Sequence, residues 1–266
     1  MYVIFAPAYT HKSGGCKVLY ELDYWLRKSG EESVVATFDR RNYYGDRYNV
    51  IDLIDTIKPI RNGATVVYPE IVDGNPFNAK KIVRWILNEP EQHITFTDNE
   101  MLWAHDNYSE MWATKGNVLT IPFVDLDICK DMNFCRKGSA YWVYKGRNLP
   151  RLPQYEDGFP LDSLNVEPKE LYKLFNSIEV LYTYDDYTSV ADEARLCGTP
   201  VICLNMESTR KDYTMKEHPY HYFGYGYGIE ELPHAKETLY LFRDAYANEF
   251  HKGFDKQLEK FIRETK

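Results

Sequence analysis

Short apolar runs alternate with longer amphipathic stretches along almost the whole chain, and this rhythm constrains the fold more than any single motif. Residues 2–6 (YVIFA), 33–38 (SVVATF) and 64–68 (ATVVY) read as strands, with a helix over 16–29 closed by Gly30. Residues 50–57 fit a short helix. The spacing of Ile82, Val83, Ile86 and Leu87 predicts a helix over 78–88, and 93–97 (HITFT) and 117–121 predict further strands. The rhythm then repeats. A strand at 140–144 (AYWVY) precedes a Pro-, Gly- and Asp-rich loop at 146–166, a helix over 167–176 and a strand at 178–183 (IEVLYT). A helix over 189–197, a strand at 200–204 (PVICL) and a helical tail over 234–264, interrupted near Gly253, complete it. Such alternation implies parallel sheets with helices on their faces. A chain of 266 residues has room for one large domain or two small ones. The change of texture places a boundary near 125–138.

Composition narrows the function. The net charge of −8 argues against bulk binding to nucleic acid, although a local basic patch remains compatible with it. The five cysteines form no C-x-x-C and no regular spacing, which suggests reduced thiols rather than a disulfide framework or zinc site. No apolar run reaches the roughly 18 residues of a membrane span, and the N-terminal run lacks the basic flank of a signal peptide. The expected setting is therefore a cytoplasmic one. Tyrosine is abundant, at 23 residues, and its flat faces suit sugars or bases as well as a packed core.

The most informative stretch is LYTYDDYTSVADEARLCGTPVICL, residues 181–204. A strand ends near Tyr184, and a polar turn leads to Thr188 and Ser189, either of which can cap the next helix. Gly198 suits a left-handed helix end, and Pro200 opens the next strand. A helix amino end is thus delivered at the carboxyl end of a strand, where open α/β sheets bind ligands and bared N–H groups favour anions. Glu193 lies one turn deeper, where a carboxylate can take both hydroxyls of a ribose. A plain strand–helix–strand unit with a capped helix fits the same residues.

This stretch resembles the donor-binding segment of GT-B glycosyltransferases, in which an acidic residue, a small-residue turn and a Glu precede a helix ending in A-x-x-C-G-x-P-V. The matching residues are Asp185, Thr188, Ser189, Glu193, Ala194, Cys197, Gly198, Thr199, Pro200 and Val201. The donor motif is similar to that of glycosyltransferase family 4. Residues 66–76 and 214–228 are loosely similar to small bacterial and phage-type members. The resemblance implies an α/β fold of two Rossmann-like domains around a central cleft. The acceptor-side domain would cover 1–130, the nucleotide-sugar domain 131–250, and a C-terminal helix within 251–266 would pack back on the first domain. It implies that Glu193 holds the donor ribose and that a Lys and an Arg near the strand at 140–144 hold the diphosphate. Lys145, Arg147 and Arg136 are the candidates there. Asp185, eight residues before Glu193, replaces the first Glu of the Glu-x7-Glu pattern of retaining members, so retention and inversion both stay open.

Gly14 and Gly15 follow the first strand, where GT-B enzymes commonly carry a Gly pair that lets backbone approach the donor phosphate or acceptor. The G-x-G-x-x-G fingerprint and the Walker A lysine motif are absent. Polar residues at strand ends of the first half are candidate bases or acceptor ligands: Glu70 and Asp98, with Asp185, as catalytic groups, and His11, with His105 near it, on the acceptor side. The loop after the second strand interleaves Arg40 and Arg41 with Tyr43 and Tyr44. Such residues can hold phosphate and stack on bases or sugars. The expected activity is hexosyl transfer from a nucleotide-sugar to a hydroxyl, on a glycan or on a hydroxymethylated DNA base, with the acidic charge favouring the glycan. Lys145 and Arg147 would replace a metal ion, so no metal or other cofactor is expected. A sugar-nucleotide epimerase and a non-catalytic nucleotide- or glycan-binding protein are the alternatives.

Overall fold

The computed structural model describes residues 1–39, 47–106, 108–164, 167–186, 188–208 and 219–266. It divides into two units, Met1–Phe123 with His251–Lys266, and Val124–Phe250. Among the described residues every strand pairing is parallel.

The first unit contains β1 (Tyr2–Phe5), α1 (Gly14–Lys28), β2 (Ser33–Thr37), β3 (Val50–Asp52), α2 (Ile57–Arg61), β4 (Thr65–Pro69), β5 (Lys81–Ile86) and β6 (Glu100–Ala104). Its sheet runs β3-β2-β1-β4-β5-β6, the doubly wound order of dinucleotide-binding folds. The order reverses between β1 and β4, so the loops after these two strands flank a switch point. Alternation along each strand feeds two cores. Tyr2, Ile4, Val35, Val67, Val83 and Trp85 pack with Leu19, Leu22 and Leu26 of α1. Val3, Val34, Val66, Tyr68 and Ile82 pack on the other face.

Residues 81–86 correct the expectation of a helix. Ile82, Arg84 and Ile86 point to one face of the sheet and Val83, Trp85 and Leu87 to the other, so the strand is apolar on both sides and mimics helical spacing. Arg84, fully buried, is tolerated because all its N–H groups are used. It forms a bidentate pair with Glu100 at 2.7 and 2.9 Å and donates to the carbonyls of Pro69, Val72 and Gly74. Residues 93–97 are a loop fastened through Thr95 to Asp73 and Thr97 to Glu100; the strand follows at Glu100. Residues 50–57 begin as β3 and only then turn helical, and 117–121 contribute a single bridge, Ala104 to Val118. Near the end of the chain, Phe254, Leu258 and Phe261 of α6 (Phe254–Thr265; α5 belongs to the second unit) join the α1 core. The Thr265 carbonyl accepts from Thr65 Oγ1 at 2.7 Å.

The second unit contains β7 (Ser139–Trp142), β8 (Phe159–Pro160), α3 (Pro168–Ser177), β9 (Val180–Thr183), α4 (Ser189–Leu196), β10 (Val201–Cys203), β11 (Tyr225–Tyr227) and α5 (Leu232–Ala245). Its sheet runs β8-β7-β9-β10-β11. Counted within the unit this is the order 2-1-3-4-5 of flavodoxin-like sheets, with the switch point between β7 and β9.

Two outcomes test this packing. Glu100→Ala strands the Arg84 guanidinium and should lower the unfolding free energy by about 3–5 kcal/mol in urea titrations, whereas Arg84→Met with Glu100→Leu should restore most of it. His251 is held at about 4, by burial first and then by neighbouring His105, itself lowered by burial. The unfolded chain then binds more protons between pH 6.5 and 4, so this contribution is intact above 6.5 and is lost as pH falls towards 4. Melting temperatures from pH 8 to 4 should show a decline that is shallower in His251→Gln.

Candidate donor site at the second switch point

β7 and β9 end side by side, with Trp142 in register with Thr183. Beyond β9 the Asp185 carboxylate turns inward, 2% exposed. Its Oδ1 accepts the backbone N–H groups of Tyr144 and Gly146 at 3.0 and 2.7 Å, and its Oδ2 accepts Trp142 Nε1–H at 3.0 Å. The chain leaving β7 is thereby folded into a tight 3-10 turn, Lys145–Asn148. Gly146 is buried in that turn, and a Cβ there would collide with the Tyr184 carbonyl. Lys145 and Arg147 extend from either side of it, both exposed, with the Arg147 guanidinium 5.8 Å from the Tyr144 ring centre.

The next loop delivers the amino end of α4. Thr188 is its N-cap, with Oγ1 accepting from Val190 N at 3.4 Å, and Ser189 is its first residue. The first-turn N–H groups and the helix dipole give this end a partial positive character. Asp186, half-buried, accepts Ser208 Oγ–H at 2.6 Å and so joins the exits of β9 and β10. The carboxyl edge of the sheet therefore carries a cationic turn and a helix amino end on the two sides of its switch point. Among the described residues no group of three or more His, Cys, Asp or Glu side chains is placed to hold a metal ion.

Three expected site residues are committed elsewhere. Arg136 donates to the carbonyls of Phe175 and Cys197, to Thr199 Oγ1 and to Asp131, which pins the start of the unit rather than a ligand. Glu193 is 3% exposed, and its Oε1 accepts Tyr172 O–H at 3.1 Å from α3, so its carboxylate lies inside the unit. Asp185 is sealed beneath the turn that it holds. Each is a polar group whose burial demands partners, and sequence spacing does not distinguish that need from ligand binding.

In the first unit, His11 lies in the loop after β1. Burial, then Lys17 and Lys12, lower it to about 4, so its imidazole is neutral at neutral pH and only weakly basic. Gly14 and Gly15 open α1, whose N-cap Ser13 accepts Cys16 N–H at 3.2 Å. A Cβ on Gly15 would make only ordinary contact with Leu87, so bulk alone does not require glycine there. Glu70 follows β4 and accepts Leu87 N–H at 3.0 Å, tying the exits of β4 and β5 together while buried. His105 follows β6 and is half-buried. Asp98 departs from expectation: it sits exposed in the turn that enters β6, at the amino edge of the sheet, opposite the edge where such folds bind ligands. Arg40, Arg41, Tyr43 and Tyr44 lie outside the described residues. Asp186, Ser208 and Tyr144 were not anticipated; the Asp185–Asp186 doublet was the signal for the first.

No family model and no curated protein matches the sequence. Among solved structures, the chain is similar to the wall teichoic acid polymerase TagF soaked with CDPG. The TM-score is 0.50 at 10% identity, over 99% of this chain and 89% of that one. It is also similar to an alpha-glucosyltransferase in complex with UDP and a 13-mer DNA containing an HMU base, with a TM-score of 0.44 at 11% identity, over 97% and 92%. The fold is of the GT-B kind. The sequence resemblance thus pointed to the right architecture, while identities this low carry no activity across.

The burial of Glu193 yields a prediction opposite to a ribose role. Glu193→Ala should lower the unfolding free energy by about 1–3 kcal/mol and leave nucleoside diphosphate affinity unchanged in the folded protein, as read by denaturation and calorimetry.

Proposed function

We propose that this chain is a glycosyltransferase that moves a sugar from a nucleotide-sugar to a hydroxyl acceptor, with the donor diphosphate held in the second unit. One observation carries the reading: the Lys145–Arg147 turn and the amino end of α4 lie on the two sides of the switch point of a sheet in a GT-B fold. Lys145 and Arg147 offset the charge that builds on the departing nucleoside diphosphate, and the first-turn N–H groups of α4 with Thr188 and Ser189 add neutral donors. Sugar transfer then requires no metal or other cofactor.

The acceptor belongs to the first unit in this reading. His11, neutral and just before the Gly14–Gly15 helix start, is suited to hydrogen-bond the acceptor hydroxyl; at about 4 it is too weak a base to be assigned the proton. Glu70 supports the same edge through Leu87. The acceptor is a glycan or a hydroxymethylated DNA base. In the second case Arg40, Arg41, Tyr43 and Tyr44 would contact it, and binding would fall steeply with salt.

Lys145→Ala with Arg147→Ala should weaken nucleoside diphosphate binding by about 1.5–3 kcal/mol, as expected for hydrogen bonds to a charged group, without lowering affinity for the bare nucleoside. Equal affinities in wild type and variant would contradict the reading. Transfer should survive EDTA; loss with rescue by manganese would refute metal independence. Isomerisation of the donor would favour an epimerase, and binding without turnover a non-catalytic protein.

A further inference from the structure

Asp185 was expected among the catalytic groups, and its surroundings give it a different task. A carboxylate that attacks a sugar or takes a proton must reach the reacting atoms. Both oxygens of Asp185 instead face the protein: Oδ1 receives two backbone N–H groups from the turn after β7, and Oδ2 receives the indole N–H of Trp142. Its own N–H is tied to Thr183 Oγ1 at 3.0 Å, so the backbone that carries the side chain is also fixed. The two residues whose N–H groups share Oδ1 are Tyr144 and Gly146, which bracket Lys145, and Gly146 in turn precedes Arg147. Gly146 fits only because it lacks a side chain where the turn rests on Tyr184.

Bonds of this kind are strong because the acceptor is charged. They also cross the switch point, joining the exit of β7 to the exit of β9, so the location of the two cations is set by a residue on the neighbouring strand. We propose that Asp185 is the positioning residue of the diphosphate site: its buried carboxylate holds the Lys145–Arg147 turn in the shape that presents both cations to a donor diphosphate. The inference rests on the donor reading above and adds to it the residue on which that site's geometry depends.

The test is a mutant cycle on the full chain, read by calorimetry with UDP, CDP and GDP and with the matching nucleosides. Asp185→Asn puts an amide N–H₂ among three N–H donors and should misplace the turn. Affinity for the best nucleoside diphosphate should fall about tenfold or more, the loss expected for a charged hydrogen bond, while nucleoside affinity stays unchanged. Because Asp185 acts through the cations, Asp185→Asn should cause no further loss when Lys145 and Arg147 are already alanine. A general structural defect would instead lower nucleoside affinity as well, and an independent contact would add its loss in the triple variant; either result overturns the proposal. Should Asp185→Asn fail to fold, Trp142→Phe removes one of the three donors, and the same cycle with this variant decides the matter in the same way. If the Lys145→Ala, Arg147→Ala variant binds diphosphates as well as wild type, or no diphosphate binds wild type, the donor reading itself fails and the inference falls with it. If that variant loses affinity while Asp185→Asn and Trp142→Phe do not, the donor reading stands and only the role of Asp185 is overturned.

Discussion

A parallel sheet sends the loops that follow its strands to one edge, and the candidate sites of this protein depend on that constraint. A strand that is buried on both faces has no freedom to bring a polar side chain out along its length, so reactive groups collect where the strands stop. In each sheet the strand order reverses once, between β1 and β4 and between β7 and β9. There the following loops diverge to opposite faces and leave room at the edge. His11, Gly14, Gly15 and Glu70 gather at the first such point, and Lys145, Arg147, Asp185 and Asp186 at the second.

Buried charge fixes these loops. Arg84 and Glu100 in the first unit and Asp185 in the second take loop carbonyls or N–H groups that would otherwise need water. Glu21 and Asp23 of α1 do the same for residues 47–49. Glu21 accepts Arg47 and Tyr48, and Asp23 accepts Asn49 N–H at 2.8 Å. A buried ion is costly unless its bonds are complete, so each such group enforces one loop shape instead of several.

Sequence reasoning reached the architecture because hydrophobic rhythm and helix punctuation are local. The strand–cap–helix–Gly–Pro succession from 180 to 203 was legible almost residue by residue: Thr188 caps, Gly198 takes φ +82°, and β10 follows Pro200. The β5 segment was not legible, since a strand apolar on both faces carries no period of two, and the ion pair that admits Arg84 is made with a residue sixteen positions away. β11 also escaped, its Tyr-Gly-Tyr core offering no apolar run. At the site, residue type and approximate place were readable, as for Lys145 and Arg147. Direction was not: Asp185, Glu193 and Arg136 point inward because of partners on β7, α3 and the α4 end, and Asp98 lies on the wrong edge because its strand begins after it.

Hydrogen exchange on the wild-type protein, with and without a nucleoside diphosphate, tests the central claim most directly. The account predicts that bound diphosphate slows exchange at the amides of the Lys145–Asn148 turn and the first turn of α4, from Ser189 to Ala191, with smaller effects elsewhere in the second sheet. Protection confined to the loop after β1, or none at saturating nucleotide, would contradict it.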